Sequence, residues 1–113
     1  MNMRHLSYLN IIAEEDVKCI RKKEDSYKGS WKKRGGVGAF MMLARKWDRI
    51  ETAVEQVDII AAVRPENRAI ISQYDIFAHI EQDDRDEGLL DDIRDLRQYL
   101  MLVEAEMRAR KDE

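Results

Sequence analysis

The feature that most constrains this 113-residue chain is the spacing of its apolar residues between positions 39 and 57. Phe40, Leu43, Ala44, Trp47, Ile50, Val54 and Val57 recur at intervals of three and four, which is the repeat of an amphipathic helix. The same repeat aims an acid at apolar company. At about 100° per residue, Glu51 projects close to Phe40, Ala44 and Trp47, with Asp48 and Glu55 beside it. A carboxylate turned toward a core is costly unless something neutralises it. A divalent cation is the expected partner, shared with acids from another helix.

Breakers are scarce: one proline and five glycines, three of them within positions 35–38. Few breakers mean few, long elements. Leu6, Leu9, Ala13, Val17 and Ile20 mark a first helix over residues 2–25, and the central helix extends over 37–62, where Pro65 follows as a stop. Leu89, Ile93, Leu96, Leu100, Val103 and Met107 form a heptad-like seam on a last helix over 89–110. Residues 69–80 admit either a strand at 69–71 or a short helix capped by Ser72 and carrying Ile76, Phe77 and Ile80. Residues 82–88 read as an acidic turn. The expectation is an all-α bundle of about four helices in one domain spanning 1–113. So small a helical domain has a limited core, so the bundle is expected to be completed by oligomerisation.

Composition removes several classes of function. Charged residues at 38% and apolar ones at 44% exclude a wholly disordered chain. A net charge of −3 gives no general drive toward nucleic acid or anionic membrane. No apolar run approaches the ~18 residues of a spanning helix, and no signal-peptide pattern opens the chain. Cys19 is the one cysteine, which precludes an internal disulfide and favours a cytoplasmic setting. Neither His5 nor His79 lies at zinc-ligand spacing from it, so Cys19 reads as a packing or surface thiol and His79 as structural.

Residues 25–38 read as a long loop. It places Tyr27 and Trp31 among Lys28, Lys32, Lys33 and Arg34, and its glycines precede a helix start. Aromatic faces beside cations can hold a base and its phosphates, and a helix N-terminus favours anions. The plainer alternative is a solvated basic loop whose glycines only turn the chain. Lys33 in the loop, with Lys46 and Arg49 on the central helix, are the candidate phosphate contacts.

Two acidic pairs share one geometry: Asp48 with Glu51, and Asp92 with Asp95. Residues three apart on a helix lie on neighbouring positions of its surface. Two such pairs on facing helices can converge on Mg²⁺, which takes oxygen ligands and accepts phosphate oxygens to complete its shell. Asp91 and Asp92 also suit the N-terminus of the last helix electrostatically; Asp95 lies a turn further in.

These pairs resemble those of the MazG-like all-α nucleoside triphosphate pyrophosphohydrolases, whose signature is Glu-x-x-Glu followed by Glu-x-x-Asp. The resemblance is closer to the phage branch that acts on purine deoxynucleotides where the DNA carries 2-aminoadenine. It rests on Lys23-Glu-Asp25-Ser-Tyr27-Lys-Gly29, on Lys46-Trp-Asp-Arg49-Ile50, on Asp91-Asp92-Ile-Arg-Asp95-Leu-Arg-Gln-Tyr99, and, for that phage branch, on the run Gly35-Gly-Val-Gly-Ala-Phe-Met-Met-Leu-Ala-Arg-Lys-Trp-Asp-Arg-Ile-Glu51. It covers about residues 23–104. The chain departs in having Asp-x-x-Glu then Asp-x-x-Asp, with a longer interval between them. The resemblance implies hydrolysis of a purine deoxynucleoside triphosphate between the α- and β-phosphates, giving a monophosphate and pyrophosphate. It implies Mg²⁺ or Mn²⁺, more than one ion per site, and a homodimer or homotetramer. The expected ligands are Asp48, Glu51, Asp92 and Asp95, with Glu55 in reserve, and Glu51 and Asp95 as the catalytic acids. Tyr27 and Trp31 would stack on the base. No nucleic-acid or membrane partner is expected. A helical adaptor, with Glu51 paired to Arg or Lys, and a small nucleic-acid-binding protein using the basic loop are the rival classes.

Overall fold

The computed structural model describes residues 2–55, 74–83, 85, 86 and 88–112. The protein is all-α, and no strand occurs among the described residues. Helix α1 spans Leu6–Tyr27, a short 3-10 turn spans Ser30–Lys32, and α2 spans Gly35–Glu55; α3 is Ile76–Gln82 and α4 is Leu89–Lys111. The molecule is elongated, 59 × 33 × 24 Å.

The centre of the fold is the antiparallel packing of α2 on α4. Ile50 and Val54 near the end of α2 meet Leu89 at the start of α4, and these three are the buried apolar core among the described residues. Ala53, Ile76, Ile80, Ile93 and Leu96 pack around them half-buried. The heptad-like seam of α4 therefore divides. Its first half lies in this core, whereas Leu100 and Met107 in its second half are exposed.

The start of α4 is built from acids. Asp91 accepts a hydrogen bond from the Gly88 backbone N–H at 3.1 Å, and Asp83 accepts from the N–H of Leu89. Both satisfy donors that a helix N-terminus leaves without partners. The Arg85 guanidinium beside Asp83 is the main reason its carboxyl is held down at about 2. Helix α3 is capped by Asp75, whose Oδ1 accepts from the N–H groups of Phe77 and Ala78 at 3.1 and 3.0 Å. The cap is thus Asp75, three residues beyond the expected Ser72. Ser72 itself, the alternative strand at 69–71, Pro65 and the end of the central helix lie outside the described residues. His79 is buried on α3, and Cys19 is half-buried on α1.

The expected loop is mostly helical. α1 continues to Tyr27 and closes on Lys28 in the left-handed region, whose N–H donates to Glu24 O at 2.7 Å. Gly29 follows with φ +73, a conformation that glycine adopts without penalty. Gly38 permits a close approach: a Cβ there would stand 2.7 Å from Arg34 Cβ.

Helix α1 is tied to α4 by one buried carboxylate. Asp16, 1% exposed, accepts from Arg97 Nε and, at 2.7 Å, from Arg97 Nη2, and takes a third bond from Gln98 Nε2 at 3.0 Å. The hydrogen bonds from Arg97 outweigh burial and lower the Asp16 carboxyl below its usual range. A carboxylate depressed in the folded state stabilises fully above its unfolded value and less as pH falls through the folded one. Asp16→Ala should therefore cost about 3 kcal/mol at neutral pH, at the low end for a broken buried pair because Arg97 is partly solvated. In urea titrations the gap between the variant and the parent protein should close as pH drops below about 4.

Candidate functional site

A cleft of about 330 Å³ opens where α1, the 3-10 turn, α2 and α4 meet. Volumes of this order are the lower range for small-molecule sites. Helix α1 contributes Ile20, Lys23, Glu24 and Tyr27; the turn contributes Ser30 and Trp31; α2 contributes Lys46; α4 contributes Asp95, Gln98, Tyr99 and Leu102. Spacing explains the wall made by α1. Residues 16, 20, 24 and 27 share one face of a helix, so the clamp at Asp16 sets where the cleft residues stand. The far wall is pinned by Lys32, whose Nζ lies 2.7 Å from Glu106 on α4. That ammonium, with Arg110, holds the Glu106 carboxyl below its usual range.

Three aromatic rings, Tyr27, Trp31 and Tyr99, border the cleft together with two cations and two carboxylates. Lys46 Nζ sits 5.4 Å from the centre of the Tyr99 ring and 3.8 Å from Asp95 Oδ2. Burial, then the nearby charges of Asp95 and Glu24, push the Tyr99 phenol up, so it stays protonated and able to donate. Rings suit a flat heterocycle and the lysines suit an anionic group attached to it.

The structure divides the residues expected from sequence. Tyr27, Trp31, Lys46 and Asp95 come together in the cleft. Lys33 is exposed beside the turn and does not line it. Arg49 lies against Asp92, with Nη2 3.2 Å from Oδ1. Asp48 and Glu51 are exposed on α2. Glu51 does share a side with Phe40 and Trp47, and it accepts from Trp47 Nε1 at 3.3 Å. That side, however, is not the core: Phe40 is 67% and Trp47 52% exposed. The correction has a simple cause. The apolar stripe of α2 is buried only in its last turns, at Ile50 and Val54 against Leu89; Phe40 and Trp47 lie earlier along it, where it is left exposed.

Asp92 differs again. It is 2% exposed and lies between two guanidinium groups, with Arg85 Nη2 3.2 Å from its Oδ2 and Arg49 opposite. Oδ1 accepts no hydrogen bond of good geometry despite Arg49 being close. Two cations already neutralise this acid, so a divalent ion does not fit it. Among the described residues no three metal-ligating side chains gather at one point. Asp95 does fit a cation: it lines the cleft, and its nearest charged partners, Lys46 and Arg94, stand at 3.8 and 3.7 Å, beyond hydrogen bonding.

Lys23, Glu24, Gln98 and Tyr99 are cleft residues that spacing did not mark as a site. Glu24 and Lys23 stand one turn before Tyr27, a signal available in the sequence. Gln98 carries no signal of its own. No family model, no curated protein and no solved structure matches the chain.

If Asp92 serves the fold through its two arginines, Asp92→Asn should lower stability by about 1–3 kcal/mol with divalent ions chelated. Urea denaturation in EDTA measures this. A loss that appears only when Mg²⁺ is present would instead make Asp92 a metal ligand.

Proposed function

We propose that the cleft bordered by Tyr27, Trp31 and Tyr99 holds the base of a purine deoxynucleoside triphosphate. We further propose that the protein hydrolyses that nucleotide between its α- and β-phosphates, releasing a monophosphate and pyrophosphate. The observation that carries the proposal is the meeting, in one cleft, of three aromatic rings with Lys23, Lys46 and Asp95. The rings offer stacking surfaces, and the lysines offer charge to the phosphates. Asp95 would share a Mg²⁺ or Mn²⁺ ion with phosphate oxygens, in keeping with the few carboxylates that Mg²⁺ needs when a triphosphate is present. Such an ion lowers the charge on the phosphates and the pKa of a bound water. The chain's own part is to seat the base, to place Lys46 beside the phosphates, and to hold Tyr99 as a protonated donor. The MazG-like motifs supply the bond that is cut. Asp48 and Glu51 enter this proposal through the outer face of α2, where a second chain would bring its own groups.

That second chain is part of the proposal. Val37, Phe40, Met41 and Trp47 are exposed on α2, as are Leu6, Leu9 and Ile11 on α1 and Met107 on α4. So much exposed apolar surface, against three buried apolar residues among those described, supports a homo-oligomer, a dimer or a tetramer. No described helix is long and apolar enough to cross a membrane; the setting we infer is the cytoplasm, that of the host for a phage-encoded chain.

Incubation with each dNTP and Mg²⁺ should yield monophosphate and pyrophosphate in equal amounts, fastest for a purine. Release of orthophosphate instead, or no turnover with any dNTP, would overturn the proposal. Trp31→Ala should weaken apparent nucleotide affinity about tenfold, the loss of one stacked ring. Phe40→Glu should convert the oligomer to monomer in light scattering after size exclusion; a parent protein that is monomeric at micromolar concentration would remove the oligomer from the proposal.

A further inference from the structure

Gln98 is 4% exposed, yet it lines the cleft. Its amide has one hydrogen bond, the donation from Nε2 to Asp16 Oδ1 at 3.0 Å. The chemistry of Asp16 decides which end of the amide points where. An ionised carboxylate only accepts, so the NH₂ group must face it. Arg97 holds that carboxylate with two further bonds and keeps it ionised. The amide therefore cannot turn over without setting a carbonyl oxygen against a carboxylate. The carbonyl, Oε1, is left as an acceptor on the cleft side, on a side chain too buried to swing away.

We propose that Gln98 reads the base: its oriented carbonyl selects heterocycles that carry an N–H donor on the edge facing α4, and Asp16 is the positioning residue that fixes this orientation. The proposal rests on the cleft being the nucleotide site. A guanine-type edge, with ring N–H and amino donors, satisfies Oε1. An unsubstituted purine, with only C–H and a ring-nitrogen acceptor on that edge, leaves Oε1 buried without a partner. An acceptor buried without a donor costs more than a hydrogen bond gains, so discrimination of about tenfold or more is expected.

Asp16 supplies a second test because it lies behind Gln98 and not in the cleft lining. In Asp16→Ala the acceptor that holds the Gln98 NH₂ group is gone. Either end of the amide can then face the cleft. The preference should narrow with it, since either edge then finds a partner.

Isothermal titration calorimetry with the α,β-methylene analogues of dGTP and of purine deoxyriboside triphosphate, in Mg²⁺, measures both. The parent protein should bind the guanine analogue about tenfold more tightly, Gln98→Met should bind the two within about twofold, and Asp16→Ala should narrow the preference to about threefold or less. Should Gln98→Met fail to fold, Asp16→Ala carries the test alone, because the ratio of the two affinities does not move when both fall together. Equal affinities in the parent protein, or the parent's tenfold preference persisting in Asp16→Ala, would overturn the role of Gln98 and leave the cleft as a nucleotide site. Binding of neither analogue would overturn the cleft assignment, and this inference with it.

Discussion

A buried carboxylate holds the first helix to the last. Asp16 loses nearly all of its hydration, a cost of several kcal/mol for an isolated ion. Three donated hydrogen bonds from Arg97 and Gln98 offset that cost. Such a pair adds little net stability compared with a well-packed apolar contact, but it has strict geometry. Greasy contacts between α1 and α4 would tolerate sliding by a residue; a two-pronged arginine on one carboxylate does not. Fixing Asp16 fixes Ile20, Glu24 and Tyr27 on the same face, and with them one side of the cleft. At the other end, the contact between Lys32 and Glu106 fixes the turn that carries Trp31. The cleft is thus bounded by two charged ties.

Much of this architecture could be read from residue spacing alone. The central and last helices announce themselves by apolar repeats long enough to leave no competing period, and Leu89 begins the last helix as expected. Tyr27, Trp31 and Lys46 stand out in the sequence as aromatic rings among cations, and the structure brings all three to one cleft. The turn between them was harder. Residues 25–38 lack a helical repeat, yet α1 runs to Tyr27 and a 3-10 turn follows. Local hydrogen bonds, such as Lys28 N–H to Glu24 O, hold that backbone, and they leave no mark on side-chain periodicity.

Glu51 shows what periodicity omits. Spacing correctly put it beside Phe40 and Trp47, and said nothing of what stands opposite. The apolar stripe of α2 runs its whole length, and only its last turns, at Ile50 and Val54, are buried against Leu89. Earlier along the helix Phe40, Met41 and Trp47 are exposed. Gln98 illustrates the converse. A glutamine in a charged helix is unremarkable in sequence, and its burial depends on an aspartate 82 positions earlier.

Asp92 and Asp95 were alike on paper, and the fold separates them. A step of three residues turns a helix by about 300° and raises it about 4.5 Å. That rotation is enough to carry one acid behind α2 and leave the next in the cleft. Asp92 falls where Arg49 from α2 and Arg85 from the preceding loop converge, so its charge is used in joining three segments. Asp95 falls where, among the described residues, its charged partners Lys46 and Arg94 stand at 3.8 and 3.7 Å, beyond hydrogen bonding. An acid already neutralised by two guanidinium groups gains little from a metal and would have to surrender both pairs to bind one. An acid held at nearly 4 Å surrenders almost nothing. The difference between these two neighbours therefore follows from what each would have to give up to a new partner.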